Sequence, residues 1–513
     1  MEWEESRSGP WLIESMADAA PIIAARATHI PWTPERVRWT GGLMLALLVA
    51  AMDSTIVGTA LPTIGGELGN FSLYPWVFSG YLLTATTTVP LWGKLADLYG
   101  RKVVMFVGLG IFVGASVLCG MAHSMLALVL FRALQGLGAG CLQPVTMTVI
   151  GDLFPLQQRA RVQGLFSGMW ALAAISGPLL GALFVSTIGW RWIFDVNVPI
   201  GLAAAALLWS FNDRVRGGRV SIDYAGALLL TAGVGLLLFG FGSGNSGGQL
   251  NWPLIAVSVL MLGAFVVVER RAPSPTVPMR FLVDPVIGPA VVVAVIVGTL
   301  LFGLTSYVPL LVQAGLGGSA FAAGAAIAPL MVGWPVAGMI AGRVMLRVGY
   351  QRLALLGAVV IFAGCAMLLV PATVAPVAPV IWLSGAMLFI GIGMGVLNTP
   401  LLIVLQSVVD WSDRGAVTAL NQFSRTIGGA VGVALMGLLL ETRMQAEAAA
   451  RGLDPSRFAD PSRLSTQTAA GRSLVVHGIQ AVDWVFVALS LLAIVVAAMI
   501  VLGSRGRRLA FKI

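Results

Sequence analysis

About fourteen apolar runs follow one another along this chain, and no other feature limits its fold so severely. They lie near 40–62, 74–95, 103–122, 125–150, 162–185, 192–211, 222–241 and 252–269, then near 285–312, 320–342, 351–371, 380–407, 415–440 and 483–503. A helix rising about 1.5 Å per residue needs roughly 20 apolar residues to traverse the hydrocarbon of a bilayer. Each run meets or approaches that length. A soluble protein of 513 residues has no use for a chain that is 58% hydrophobic and only 10% charged. The expected fold class is an all-α polytopic membrane protein with about 14 transmembrane helices, surrounded by membrane lipids.

The charges sit between the runs. Lys and Arg outnumber Asp and Glu by 31 to 22, an excess that suits nucleic acid when gathered in one patch and cytoplasmic loops when dispersed. Here it is dispersed. Lys94, Arg101 and Lys102; Arg159 and Arg161; Arg214, Arg216 and Arg219; Arg270, Arg271 and Arg280; Arg343, Arg347 and Arg352; and Arg414 mark alternate turns, while the opposite short turns carry only Arg191. No nucleic-acid partner is expected, and both termini are placed on the cytoplasmic side of the inner cell membrane. Residues 1–39 form a cytoplasmic tail without signal-peptide character, acidic at Glu2, Glu4 and Glu5, and residues 504–513 a basic one. One segment resists this scheme. Residues 441–481 fall outside the cell yet carry Arg443, Arg451, Arg457, Arg463 and Arg472. The segment is expected to be an extracytoplasmic loop that starts helically at "TRMQAEAAAR" and offers a candidate partner site. Cys119, Cys141 and Cys365 lie inside apolar runs without metal spacing and read as packing residues.

The two halves of the chain echo each other. Gly136, Gly138 and Gly140 recur as Gly391, Gly393 and Gly395, 255 positions later; at the same offset Arg159 meets Arg414 and Gly177 meets Gly432. "GKLADLYGRK" has a worn partner in "GRVMLRVGYQR", 249 positions on. Duplicated halves are a habit of transporters. They bracket two additional spans at 222–269, leaving bundles at 40–211 and 285–503.

No G-x-x-x-x-G-K-[ST] phosphate loop is present, nor an H-E-x-x-H or G-x-S-x-G arrangement. ATP hydrolysis by the phosphate-loop route and intramembrane hydrolysis are excluded; no enzyme, metal or cofactor is expected. Glycine clusters such as "GLGAG" sit inside apolar runs, where they let helices approach closely. Work done by this chain is passive or gradient-driven.

Three motifs carry a resemblance. "GKLADLYGRK" holds Gly93, Asp97, Gly100, Arg101 and Lys102, with Leu98 where an arginine is common; "RALQGLGAG" holds Arg132, Gln135, Gly136 and Gly140; "AAISGPLLGA" holds Gly177, Pro178 and Gly181, with Ala173 and Ala182 in place of two glycines. They resemble, in that order, the gating loop between helices 2 and 3, the helix 4 signature and the antiporter signature of the major facilitator superfamily. "MDSTIVGTALPTI", "WRWIFDVNVPIG" and "YVPLLVQAGLGGSAFAAG" are similar to its fourteen-helix drug:proton antiporters. The resemblance implies two six-helix bundles plus two extra helices, rocking about a midplane cavity, and export of a small amphipathic substrate against protons.

Within the first span stands one acid, Asp53, in "AAMDSTIVGTALPTI". If that span ends outside near Leu61, Asp53 lies roughly 12 Å deep; Arg132, entering from Met125 in the fourth span, lies roughly 10 Å deep. Ions in hydrocarbon need a partner, water or a change of protonation. Burial favours a neutral carboxyl and a guanidinium favours a charged one, an opposition that a transporter can use. Asp53 is expected to be the proton-coupling and cation-competition site with Arg132 setting its affinity; the alternative is a static ion pair. Asp195 is a second-acid candidate close to the membrane boundary. Gln143, Gln313, Asn398, Gln406 and Arg425 are candidate substrate contacts, and Trp170 can stack on a flat cation. The leading function is proton-coupled efflux of amphipathic, often cationic drugs. The alternatives are export of a dedicated lipid, siderophore or metabolite, and a non-transporting membrane receptor or scaffold.

Overall fold

The computed structural model describes residues 32–503 apart from 71–72, 155, 212–223, 243–249, 273–278, 371–377, 410–413 and 454–468. The expected tails at 1–31 and 504–513, and the middle of the 441–481 segment, lie outside the described residues. The described residues contain no strand. The first bundle comprises α1 (Pro34–Leu68), α2 (Tyr74–Thr87), α3 (Val89–Tyr99), α4 (Arg101–Gly120), α5 (Met125–Leu153), α6 (Leu156–Thr187), α7 (Trp192–Asp195) and α8 (Asn197–Leu208). An inserted pair follows, α9 (Tyr224–Gly242) and α10 (Trp252–Glu269). The second bundle comprises α11 (Ile287–Leu310), extended by a π-helical turn at Leu311–Gly315, then α12 (Ala320–Val348), α13 (Tyr350–Leu368), α14 (Pro379–Ser407), α15 (Arg414–Ala450) and α16 (Ala469–Gly503). With α2 and α3 taken as one crossing and α7 and α8 as another, about fourteen spans result, as the apolar runs predict.

Boundaries follow local chemistry. The first helix begins at Pro34, ahead of the expected residue 40, because the Thr33 hydroxyl accepts from Arg36 N at 3.3 Å and proline suits a first turn. Ser124 and Ser319 cap α5 and α12 in the same way. In the segment expected as a loop at 441–481 the described residues are largely helical: α15 continues to Ala450 and α16 starts at Ala469. Its Ala, Gln and Glu residues are good helix formers. Met444 and Ala448 on one arm and Leu474, Val475 and Ile479 on the other are buried in one apolar cluster. Arg451 also bridges the arms, donating to Ser473 Oγ at 2.5 Å.

The duplication in the sequence is physical. Gly138 lies where an added Cβ would meet Phe112 N and Gly108 O, and Gly393 where one would meet Ile361 N and Gly357 O. Each pair of neighbours is separated by 249 positions. Gly100 and Gly349, also 249 apart, take φ of +89° and +88° at the turns α3–α4 and α12–α13. Only glycine adopts that backbone readily. Thr55 Oγ1 donates to Ala173 O at 3.0 Å, joining α1 to α6; Thr299 Oγ1 donates to Gly428 O at 2.8 Å, joining α11 to α15. Thus α1 aligns with α11 at an offset of 244, α2–α4 with α12–α13 at 249, and α5–α6 with α14–α15 at 255.

The halves meet where α6 packs on α12, α2 on α15 and α1 on α11. The ties include Tyr74 Oη to Ser306 O (3.2 Å), Ser79 Oγ to Ala430 O (2.8 Å) and Gln313 Nε2 to Thr59 O (2.9 Å). The inserted α9 rests on both α2 and α15, with Trp76 edge-on to Phe239 at 5.6 Å. Its partner α10 is buried only at Ser258, Phe265 and Glu269. Leu260 and Trp252 stand open on it, as suits a helix solvated by lipid tails.

Candidate functional site

A polar cluster lies inside the first bundle, assembled from four helices. Asp53 on α1 and Arg132 on α5 are both fully buried, and Arg132 Nη1 reaches Asp53 Oδ2 at 2.5 Å. The expected pairing of acid and base is therefore present. Gln135, one turn along α5, donates from Nε2 to Asp53 Oδ1 (2.9 Å) and accepts from Arg132 Nη1 at Oε1 (2.7 Å). Asn197, at the start of α8, donates from Nδ2 to the same Asp53 oxygen at 3.0 Å. Ser116 on α4 accepts from both amides at 2.9 Å and donates to Phe194 O at 3.1 Å. Arg132 also donates from Nε to Val77 O at 3.3 Å, and its guanidinium lies 4.0 Å from the centre of the Tyr81 ring. An aromatic face is a favourable neighbour for a desolvated cation.

This arrangement answers the cost of putting ions in hydrocarbon. Each charge has the other, and the carboxylate receives three N–H donors; buried charges persist only when paired and hydrogen-bonded. Two buried atoms of the cluster have no partner: Arg132 Nη2 and Asn197 Oδ1. Among the described residues no group of three or more His, Cys, Asp or Glu gathers as a metal site.

The residues at the symmetric positions in the second bundle carry no charge. The offsets above place Val297 opposite Asp53, Met387 opposite Arg132, Ile390 opposite Gln135 and Cys365 opposite Ser116. All four are completely buried or nearly so, in one hydrophobic cluster. Two homologous bundles share their packing, but only the first carries the Asp53–Arg132–Gln135 unit; in the second a buried acid, Asp483 on α16, lies near Cys365 instead.

The other expected residues are spread along the molecule. Gly177 and Gly181 of the antiporter signature face α1, where added Cβ atoms would meet Thr55 and Thr59, while the Pro178 carbonyl lies against Gly324 on α12. The signature thus packs α6 between α1 and the opposite bundle, beside the helix that carries Asp53. Gly136 and Gly140 pack on α2. In the gating loop, Gly100 makes the positive-φ turn, Lys102 Nζ donates to Trp209 O at 2.6 Å, Arg101 borders a small crevice with Phe211, and an added Cβ on Gly93 meets nothing. The Asp97 side chain lies outside the described residues. Asp195 is half-buried against Gly120, apart from the cluster. Gln313 uses its amide on Thr59 and Thr63 across the bundle interface. Gln406 donates to Thr418, and Arg425 donates to Gln422 with its guanidinium 5.6 Å from the Trp334 ring. Asn398 is buried, Gln143 half-buried and Trp170 exposed. These candidates do not converge on one site.

Ser116, Asn197 and Tyr81 were not singled out from the sequence. Ser116 and Asn197 are the two that carried a signal: polar side chains inside apolar spans have to find partners, and an intramembrane acid is the obvious one.

Comparison with known proteins agrees with this architecture. The Major Facilitator Superfamily profile matches residues 43–433. The chain is 35% identical over 409 residues to the multidrug transporter protein MdtP of Bacillus subtilis, covering 78% of this chain and 75% of that one. It is 33% identical to multidrug resistance protein 3 of the same organism, covering 77% and 78%. Among solved structures, a bacterial homologue of the human lysosomal transporter Spinster, inward-facing and occupied, superposes with a TM-score of 0.67 at 17% identity, over 93% of this chain and 98% of the other. With its paired bundles, inserted helices and these relatives, the chain belongs to the Major Facilitator Superfamily, in the branch of its multidrug exporters.

Proposed function

We propose that this protein exports amphipathic, often cationic drugs across the cytoplasmic membrane in exchange for protons, by alternating access, with both termini inside the cell. The observation that carries the reading is the buried ion pair of Asp53 and Arg132, whose positions in the copy are held by the apolar Val297 and Met387. Ordinary packing is satisfied by the apolar version, so an ionisable one is retained for work. The names of the Bacillus relatives support the substrate class. As a carrier, the protein moves its substrate without changing it.

In the proposed cycle, the carboxylate of Asp53 takes a proton when its cavity opens to the outer side. It releases that proton inward as the drug competes for the site, while Arg132 favours the ionised form. The signature glycines of α6 let α1 pack closely against it, so a change at Asp53 moves helices that also touch the other bundle. The test is transport in proteoliposomes under an imposed pH gradient. Asp53→Asn is expected to insert and fold but to lose uphill drug movement and drug-induced proton release. If the variant retains both, the proposal fails.

A second reading, export of one dedicated lipid or metabolite, draws on the helical extensions of α15 and α16. At 37 and 35 residues these helices exceed the roughly 20 that a bilayer requires. A single substrate in a broad transport screen would favour it.

A further inference from the structure

The bonds around Asp53 suit an anion and only an anion. Arg132 Nη1, Gln135 Nε2 and Asn197 Nδ2 all donate to its two oxygens. A protonated carboxyl, by contrast, must donate its O–H to an acceptor. A proton arriving here creates a buried hydroxyl among donors, and such a group is costly to leave unpaired. The acceptors nearby are taken. Gln135 Oε1 is held by Arg132, and Ser116 Oγ already receives two amide hydrogens.

One buried acceptor has no partner: Asn197 Oδ1. It belongs to the same amide whose nitrogen lies 3.0 Å from Asp53 Oδ1. Turning a primary amide by half a revolution exchanges oxygen for nitrogen in nearly the same space. We propose that Asn197 is the positioning residue that lets Asp53 exist in both protonation states, its amide turning over as the proton arrives. Ionised Asp53 takes an N–H from Asn197; protonated Asp53 gives its O–H to Asn197 Oδ1. The proton adds to a carboxylate oxygen and leaves from it, and no other covalent bond changes. This inference rests on Asp53 being the proton site.

The turn has a mechanical consequence. Asn197 Nδ2 also donates to Ser116 Oγ at 2.9 Å, and Ser116 donates to Phe194 O at 3.1 Å. With the amide reversed, an oxygen faces Ser116, whose hydroxyl hydrogen then swings from Phe194 O to Asn197 Oδ1. The tie from α4 to the short α7 is released, so protonation is felt at the break between α7 and α8. The other titratable or charged groups facing the cluster do not supply the missing acceptor. Arg132 on α5 only donates. Tyr81 on α2 directs its hydroxyl to Ala50 O, Cys119 on α4 directs its thiol to Gln135 Oε1, and Asp195 on α7 abuts Gly120.

Infrared difference spectroscopy of the full-length protein in lipid vesicles, before and after an acid step, tests this. The native chain is expected to gain a carboxylic-acid carbonyl band that is lost in Asp53→Asn, together with a side-chain amide change. In Asn197→Leu the amide change should vanish and the acid band should move to the higher frequency of an unaccepted hydroxyl. Asn197→Ser, able to donate or accept, should return the acid band towards its native position. Should Asn197→Leu fail to fold, carbon-13 labelling of asparagine in the unaltered chain must shift the amide change. An acid band that depends on Asp53 but ignores Asn197 substitution and asparagine labelling overturns this inference and leaves the proton-site reading intact. Absence of any Asp53-dependent acid band removes the proton-site reading and this inference with it.

Discussion

Replacing Arg132 by methionine, the residue its own symmetric counterpart Met387 supplies, isolates the energetics of the buried pair. Methionine fills much of the arginine's volume, so cavity formation is a minor part of the effect. What remains is Asp53 without its cation, still fully buried and still accepting from Gln135 and Asn197. Removing one partner of a buried ion pair costs about 3–5 kcal/mol, or roughly a hundred-fold to several thousand-fold in the ratio of folded to unfolded protein. The triple variant Asp53→Val, Arg132→Met, Gln135→Ile places the second bundle's residues at these three positions and removes the whole charged unit. Asn197 then keeps Ser116 but loses Asp53, a loss of about 1 kcal/mol. The triple variant should therefore recover most of the stability lost by the single one while both are inactive in transport. Melting curves of the purified proteins in one detergent–lipid mixture give the ranking. If Arg132→Met melts with the native protein, or the triple variant melts no higher than Arg132→Met, the electrostatic account of the cluster is wrong.

Gly138→Ala and Gly393→Ala should each destabilise by about 1–3 kcal/mol, because the new methyl group meets backbone of the neighbouring helix. Gly110→Ala and Gly114→Ala, where an added Cβ meets nothing within 4 Å, should melt like the native protein, and equal effects at all four sites would refute the packing argument. Gln313→Ala removes two hydrogen bonds between the bundles and should shift the population away from this closed contact by about tenfold. Distance measurements between labels on the facing ends of α1 and α11 would read that shift, and an unchanged distribution would show that Gln313 does not latch the halves.

Much of the architecture was legible in composition and spacing. Lipid imposes long apolar runs, so the crossings announce themselves, and glycines at helix contacts recur because both bundles pack by the same close approaches. Gly100 and Gly349, or Gly138 and Gly393, could be paired from their intervals alone. The 441–481 segment was less legible. Its polar, arginine-bearing surface reads as a loop, yet the residues that bury the α15–α16 seam are small or flexible apolar ones scattered among charges.

Depth along a helix is written in one dimension, which is why Asp53 and Arg132 can be matched from the sequence. Rotation about each helix and the order in which helices pack are not, because those depend on contacts between residues far apart in the chain. Ser116 and Asn197 join the cluster only because α4, α5 and α8 converge on α1. Gln313, by the same logic, is drawn into the interface between the bundles instead of the substrate path. Met387 and Ile390 follow from the 255-position repeat, but Val297 is matched to Asp53 only by the contacts that set an offset of 244 between α1 and α11, since insertions between helices break any single alignment of the two halves.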